Sequence, residues 1–352
     1  MANMMATTRN SSGKIVYYTA DDFYEEIIVQ KKCFICGADR NSKVFNDEHV
    51  LPNWILTKYK LHNQSINLPN SRKYKYSKYK VPCCMECNLE LGTYLENPIS
   101  KLLKSHPIEI VETIGRDENN LQLLFDWCST IFFKVMLKDL SFFWVLDQPE
   151  VNFKIGETYD WSEYHHIHCM IRKFFTGAIV DRRARGSIFI LPTLVNKESE
   201  PFDLTVNAKG QSILLKLGEL CIICIMNDSG AACNLFNNTI NKIDGRLSQI
   251  QLREIFCHAT YINIYLQNRP KHYSEFWHKN EEFHIRAEIP DYWYLFEKGS
   301  KETTIGELMT IYCSPLIGAV ENKDEVLNAI KNSEYNFLFD LNGNFLNNDI
   351  DS

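Results

Sequence analysis

The chain has 352 residues, 45% apolar and 12% aromatic, the composition of a folded protein with a sizeable core rather than a disordered one. Its formal net charge is −6, which argues against a surface that is basic all over. No apolar run reaches the roughly 18 residues that a membrane helix needs, so no membrane partner is expected.

Residues 1–14, "MANMMATTRNSSGK", lack the apolar core of a secretory signal and read as a flexible leader. A cytoplasmic chain is therefore expected. There, twelve cysteines stay reduced and a disulfide framework does not form. Residues 15–30 predict a strand and a short helix, so 1–28 are read as leader and N-terminal extension. Residues 29–104 form a cysteine-rich basic domain. Residues 105–120, with a proline and an acidic, Asn-rich turn, read as a connector.

Residues 121–352 read as a larger α+β domain for regulation or assembly. A helix is predicted over 121–145, with Leu124, Trp127, Cys128, Ile131 and Val135 on one face. A second is predicted over Trp161–Phe175. Three apolar runs, 187–195, 212–217 and 219–228, predict strands of an antiparallel sheet. A helix over Leu247–Leu266 is stopped before Pro270.

Five of the cysteines fall between residues 33 and 87 and include two Cys-x-x-Cys pairs. Cys33, Cys36, Cys84 and Cys87 suit a closed, tetrahedral, structural Zn²⁺ site. Cys83 competes for the third position, but two residues between ligands is the usual knuckle and favours Cys84. A third pair, Cys221 and Cys224, lies in an apolar strand. Residues three apart on a strand face opposite sides, so these thiols are expected in the core.

Between the zinc pairs lies "FNDEHVLPNWI", residues 45–55, which reads as a strand ending in a turn. The second knuckle opens a helix expected to stop near Asn97–Pro98. That helix would carry Asn88, Gly92 and Glu96 on one face, with Gly92 leaving room for a group to approach Asn88. A carboxylate from Glu48 and a carboxamide oxygen from Asn88 suit Mg²⁺ or Mn²⁺. His49 could take a proton from water, and these are the parts that phosphodiester hydrolysis needs. On a strand Glu48 and His49 point apart, so the turn at Pro52 is expected to let both reach one site. Glu96 is a further acid, more simply read as a carboxylate on the helix surface.

These motifs together resemble the HNH endonucleases of the ββα-metal fold. The resemblance covers about 70 residues: Cys33/Cys36, "EHVLP" (48–52) and "CMECNLELGTYLE" (84–96). It implies that His49 is the general base, that Glu48 and Asn88 hold the catalytic cation, and that the cysteines hold structural zinc. It also implies a middle asparagine steadying the histidine loop, for which Asn63, Asn67 and Asn70 are candidates. This chain has Glu where many members have Asp, and no histidine in its last motif. The expected fold is α+β, a zinc-stabilised ββα-metal domain followed by a mixed helix and antiparallel-sheet domain.

Residues 30–80 hold eleven Lys/Arg and three Asp/Glu, a local +8 that leaves −14 for the rest. Within them "SRKYKYSKYK" alternates base and aromatic. Arg72, Lys73, Lys75, Lys78 and Lys80 are expected to meet nucleic-acid phosphates. Tyr74, Tyr76 and Tyr79 either stack on bases or pack inward. Elsewhere, "HHIH" (165–168) lacks ligands to complete a metal site, "DRRARG" (181–186) reads as a solvated basic loop, and Asp228 as a turn residue.

The expected function is metal-dependent hydrolysis of DNA by an HNH-type endonuclease. By resemblance the products carry 5′-phosphate and 3′-hydroxyl ends. The layout also looks similar to bacterial proteins that act in defence against phage or mobile DNA. The rivals are a non-catalytic, zinc-stabilised nucleic-acid-binding module and the same chemistry on RNA. An unrestrained nuclease would harm its host, so the C-terminal region is expected to gate, to form a homo-oligomer or to bind a regulatory protein.

Overall fold

The computed structural model describes residues 6–145, 153–195, 200–296, 303–318 and 322–347. It is a mixed α+β chain that divides into two compact units. The first holds residues 1–184 and 271–288, and the second holds 185–270 and 289–352. The segment 29–104 lies inside the first unit together with the helices that follow it. No helix among the described residues is long and apolar enough to cross a membrane.

In the first unit, β1 (Thr8–Arg9) pairs with β2 (Ile15–Tyr17). The flexible leader expected over 1–14 is therefore corrected at Thr8–Arg9, whose backbone is tied into a ladder; residues 1–5 lie outside the described residues. Thr19 caps α1 (Ala20–Phe23), which widens into a π turn over Tyr24–Val29.

Next come β3 (Phe45–His49), α2 (Asn53–Lys58), β4 (Ser65–Asn67), β5 (Lys73–Lys75) and β6 (Lys80–Cys84). β3 pairs antiparallel with β6, with Glu48 opposite Val81 and His49 opposite Lys80. β4 and β5 form their own hairpin inside that long connection. β6 runs straight into α3 (Met85–Leu91).

That helix does not stop at Asn97–Pro98 as expected. It widens into a π turn over Gly92–Glu96 and continues as α4 (Asn97–Leu102). The Asn97 amide bonds to Gly92, five residues back. The added residue gives the ring of Pro98, which has no N–H to offer, a wider turn to follow.

Residues 107–116, expected as part of a connector, are instead α5 (Pro107–Arg116), with proline in its first turn where the missing donor costs nothing. α6 (Glu118–Asp139) starts at an Asp117 cap and is buried on nearly every side through its middle. The second predicted helix is broken. A 3₁₀ turn over Trp161–Tyr164 leads to α7 (His165–Ile171), then Arg172, then α8 (Lys173–Thr176), which Gly177 ends at φ 72°. β7 (Ile179–Val180) adds in parallel to a hairpin of Lys271–Trp277 and Glu282–Glu288.

The second unit is built on the expected antiparallel sheet. β8 (Ile188–Pro192), β9 (Phe202–Asn207), β10 (Ser212–Leu217) and β11 (Leu220–Ile225) lie in the order β8-β11-β10-β9. β10 and β11 are buried along their whole length, which is why they read as unbroken apolar runs. Cys221 and Cys224 sit in β11 as buried core thiols. The helices are α9 (Ala231–Ile240), α10 (Gln249–Tyr265), α11 (Ile305–Cys313) and α12 (Lys323–Lys331). A Ser248/Gln251 capping box starts α10 close to the predicted Leu247. Asp228 is more than a turn residue: buried, it accepts from the Ser187 and Ala232 amides at 2.6 and 2.7 Å and so sets the start of α9.

Candidate functional site

The first knuckle is a tight loop closed at both ends. Gly37 donates to the Cys33 carbonyl, and Cys33 donates to Ala38. Gly37 has φ +75°, and a Cβ there would meet the Tyr18 hydroxyl at 1.7 Å, so no other residue fits without a shift. The second knuckle is the β6–α3 junction, with Cys84 at the end of the strand and Cys87 in the first helical turn.

These elements bring the sulfurs of Cys33, Cys36, Cys84 and Cys87 within 4.8 Å of one another. Sulfurs around tetrahedral zinc, with bonds of about 2.3 Å, stand roughly 3.8 Å apart, so the set fits an ion such as zinc after a small contraction. The Cys36 and Cys84 sulfurs are already 3.6 Å apart. Cys83 comes within 3.9 Å of Cys33 but lies outside the group of four. The Cys84 amide points at the Cys33 sulfur, at 3.5 Å. Hydrogen bonds from Cys36, Cys83 and Cys87 pull the Cys33 thiol far below its usual range, and the same bonds push those three thiols up. Among the described residues this is the one group of three or more such ligands within metal-binding reach.

The Glu48–His49 strand is fixed from behind by a residue the sequence did not single out. Lys134 of α6 is buried, and its Nζ donates at 2.8 Å both to Glu48 Oε1 and to the His49 carbonyl. The same ammonium lies 3.5 Å from Glu96 Oε1. Burial works against its charge, but Glu48 and Glu96 hold its pKa above the ordinary lysine value. Glu96 is thus no helix-surface carboxylate. The π turn brings it inward, and burial lifts its pKa to about 7, with Lys134 opposing and Glu48 adding to the rise.

Alternation along β3 puts Asn46 and Glu48 on one face and Asp47 and His49 on the other. Glu48 and His49 are both strand residues ahead of the turn at Pro52, and the Glu48 carboxylate still acts on the His49 ring through its charge. His49 is half-buried. Burial lowers its pKa, and Lys80 across the strand pair lowers it further, with Glu48 opposing.

Asn88 of α3 donates to Asn46 Oδ1 at 2.9 Å, one pleat from Glu48. Gly92 borders open space, since a Cβ there would meet nothing within 4 Å. Of the candidate middle asparagines, Asn70 donates to the Phe143 carbonyl at 2.9 Å, while Asn63 and Asn67 are exposed.

The basic stretch divides by residue type. Lys73, Lys75 and Lys78 are exposed, while Arg72 and Lys80 are half-buried. Tyr76 and Tyr79 are buried, and Tyr79 stacks on Phe142. Tyr74 sets its edge on the same ring at 4.8 Å. The tyrosines therefore build the hairpin's inner side, and Lys73, Lys75 and Lys78 stay exposed.

Two further side chains were visible in the sequence only as part of an unassigned "HHIH" helix and its end. His168 Nε2 donates to the Phe34 carbonyl at 2.8 Å, and Arg172 Nε donates to the Ile35 carbonyl at 2.5 Å. His165 and His166 likewise bond carbonyls, of Tyr18 and Ala184. Of the expected solvated basic loop, Arg182 and Arg183 are exposed, whereas Arg185 is buried.

Two predictions follow from this geometry. Purified Cys83→Ser protein should keep one bound zinc per chain, whereas Cys84→Ser should lose it, as measured by elemental analysis. Lys134→Met would leave two carboxylates buried with no cation, at a cost of about 3–5 kcal/mol. Denaturant unfolding should report that loss, and a midpoint within error of the native chain would show that Lys134 is dispensable.

The chain matches no family model, no curated protein and no solved structure.

Proposed function

We propose that the chain is a metal-dependent endonuclease of the HNH type that hydrolyses DNA. The observation that carries this reading is the β3–β6–α3 arrangement. Two antiparallel strands lead directly into a helix, a four-thiol cluster pins their junction, and a half-buried histidine stands at the strand end. The fold alone does not make a nuclease, so the reading rests on these side chains.

His49 is the proposed base. Its depressed pKa leaves the ring free to accept a proton from an attacking water at neutral pH. Lys134 fixes the His49 backbone through its carbonyl and so fixes the histidine's station. The exposed lysines of β5 and the turn after it would hold the phosphate backbone without reading sequence.

Glu48 and Glu96 supply the oxygen donors that a hard cation prefers, two acids against one lysine. Asn88 would join them by turning from its bond to Asn46. A Mg²⁺ or Mn²⁺ ion held there would polarise the scissile phosphate and stabilise the leaving oxygen. A role in bacterial antiviral defence, with the remaining residues gating the module or binding a partner, belongs to the same proposal and comes from the resemblance of the layout.

One observation favours a second reading, a non-catalytic nucleic-acid-binding module. Glu48 is buried and already paired with Lys134.

Plasmid cleavage by the full chain with Mg²⁺ or Mn²⁺ separates the two readings. Nicking is expected, with His49→Ala lowering it at least about 100-fold while zinc stays bound. Retained DNA binding with no cleavage under any metal would favour the binding module. RNA offered beside DNA tests the substrate. The pH profile gives an independent check. A base must be unprotonated and this histidine's pKa is lowered, so the rising limb of kcat/KM should lie below pH about 6.5. A limb well above that value would remove His49 from the role.

A further inference from the structure

Arg172 has a charge and no carboxylate. It follows the last residue of α7 and has no exposed surface. Its Nε donates to the Ile35 carbonyl at 2.5 Å and one terminal nitrogen donates to the Ile15 carbonyl at 2.6 Å. The other terminal nitrogen has no hydrogen-bond partner, although it is buried. The guanidinium lies over the Tyr18 ring, 4.8 Å from its centre. Among the described residues no acid forms an ion pair with it. A guanidinium does not shed its proton in a protein, so this charge persists in the interior. Two neutral carbonyls are a poor reason to bury it.

The same neighbourhood holds the complementary problem. Four thiolates around one divalent ion carry two net negative charges. Arg172 reaches that cluster through its first knuckle. The Ile35 carbonyl and the Cys36 amide belong to one planar peptide unit, so holding the carbonyl aims the amide the opposite way. That amide donates to the Cys33 sulfur. His168, one helical turn earlier, holds the preceding carbonyl, that of Phe34, at 2.8 Å. A side chain of α7 and the one that caps it thus take the carbonyls of both residues between the ligands. Burial opposes the Arg172 charge, while Cys36 and Cys87 favour it as thiolates.

We infer that Arg172 is the built-in counter-charge and orienting clip of the four-cysteine metal centre. The inference rests on those thiols holding a metal ion and is independent of whether the chain cleaves nucleic acid. Arg172 acts through the knuckle and the thiolates, as a positioning residue.

The test compares the full chain with Arg172→Gln, which keeps amide donors without charge, and Arg172→Lys, which keeps charge without the fork. Each is loaded with zinc for competition against a chelator, and with cobalt for the sulfur-to-metal charge-transfer band. Arg172→Gln should release zinc about 10–100-fold more readily. Its cobalt band should move to longer wavelength, because thiolates relieved of a nearby cation donate more easily. Arg172→Lys should keep the band near its native position. Native retention and a native band in Arg172→Gln would overturn the inference. So would equal band shifts in both variants, which would reduce Arg172 to a carbonyl clip. If Arg172→Gln fails to fold, the cobalt band of Arg172→Lys decides, and a displaced band there overturns the inference. A native chain that takes up neither metal would overturn it by removing the centre itself.

Discussion

Lys134 is a charge that the fold must satisfy wherever it places α6. Carrying an ammonium into the interior costs several kcal/mol unless hydrogen-bonded anions meet it there. Glu48 meets it at 2.8 Å and Glu96 at 3.5 Å, and the third contact is the His49 carbonyl. One side chain therefore ties the end of β3, the π turn behind α3 and the middle of α6. Moving any of the three would strand a buried charge. The proposed base inherits its position from this arrangement, since its backbone is one of the three contacts.

A second clamp works in parallel. His168 and Arg172 hold the first knuckle by its carbonyls, and Phe133 of α6 lies 5.6 Å from the His168 ring. The four-thiol cluster then joins that knuckle to the β6–α3 junction. Forty-seven residues separate Cys36 from Cys84, too long a loop for a metal alone to order. The β4–β5 hairpin and its inward tyrosines fill that span and hold the lysines outward. Clamp, thiol cluster and insert thus all bear on the segment between the two knuckles.

Local signals in the sequence were reliable where the physics is local. The cysteine spacing marked both knuckles, and unbroken apolar runs marked β10 and β11. The Pro-terminated pattern placed α10 closely. The failures share a cause, which is partners distant in sequence. Nothing near Lys134 in the chain says that Glu48, 86 positions away, will meet it. Its one trace is a lysine set among Phe133, Val135 and Met136, where an apolar residue would fit the helix. Arg172 and His168 are likewise explained only by carbonyls more than 130 positions away. Glu96 was misplaced because the π turn shifts the helical phase by one residue. The strand at Thr8–Arg9 was missed because two residues carry no period to read.

Native-state hydrogen exchange tests the central claim, that knuckle, strand and helices are one cooperative piece. Amides at Gly37 and Val50, each hydrogen-bonded in the native fold, would be followed beside those of α6 and α7. All should open together, with free energies agreeing within about 1 kcal/mol. Exchange at Gly37 and Val50 through a much cheaper opening, with both helices still protected, would contradict it. In that case the buried charges would be passengers in the structure, and its organisation would have to come from elsewhere.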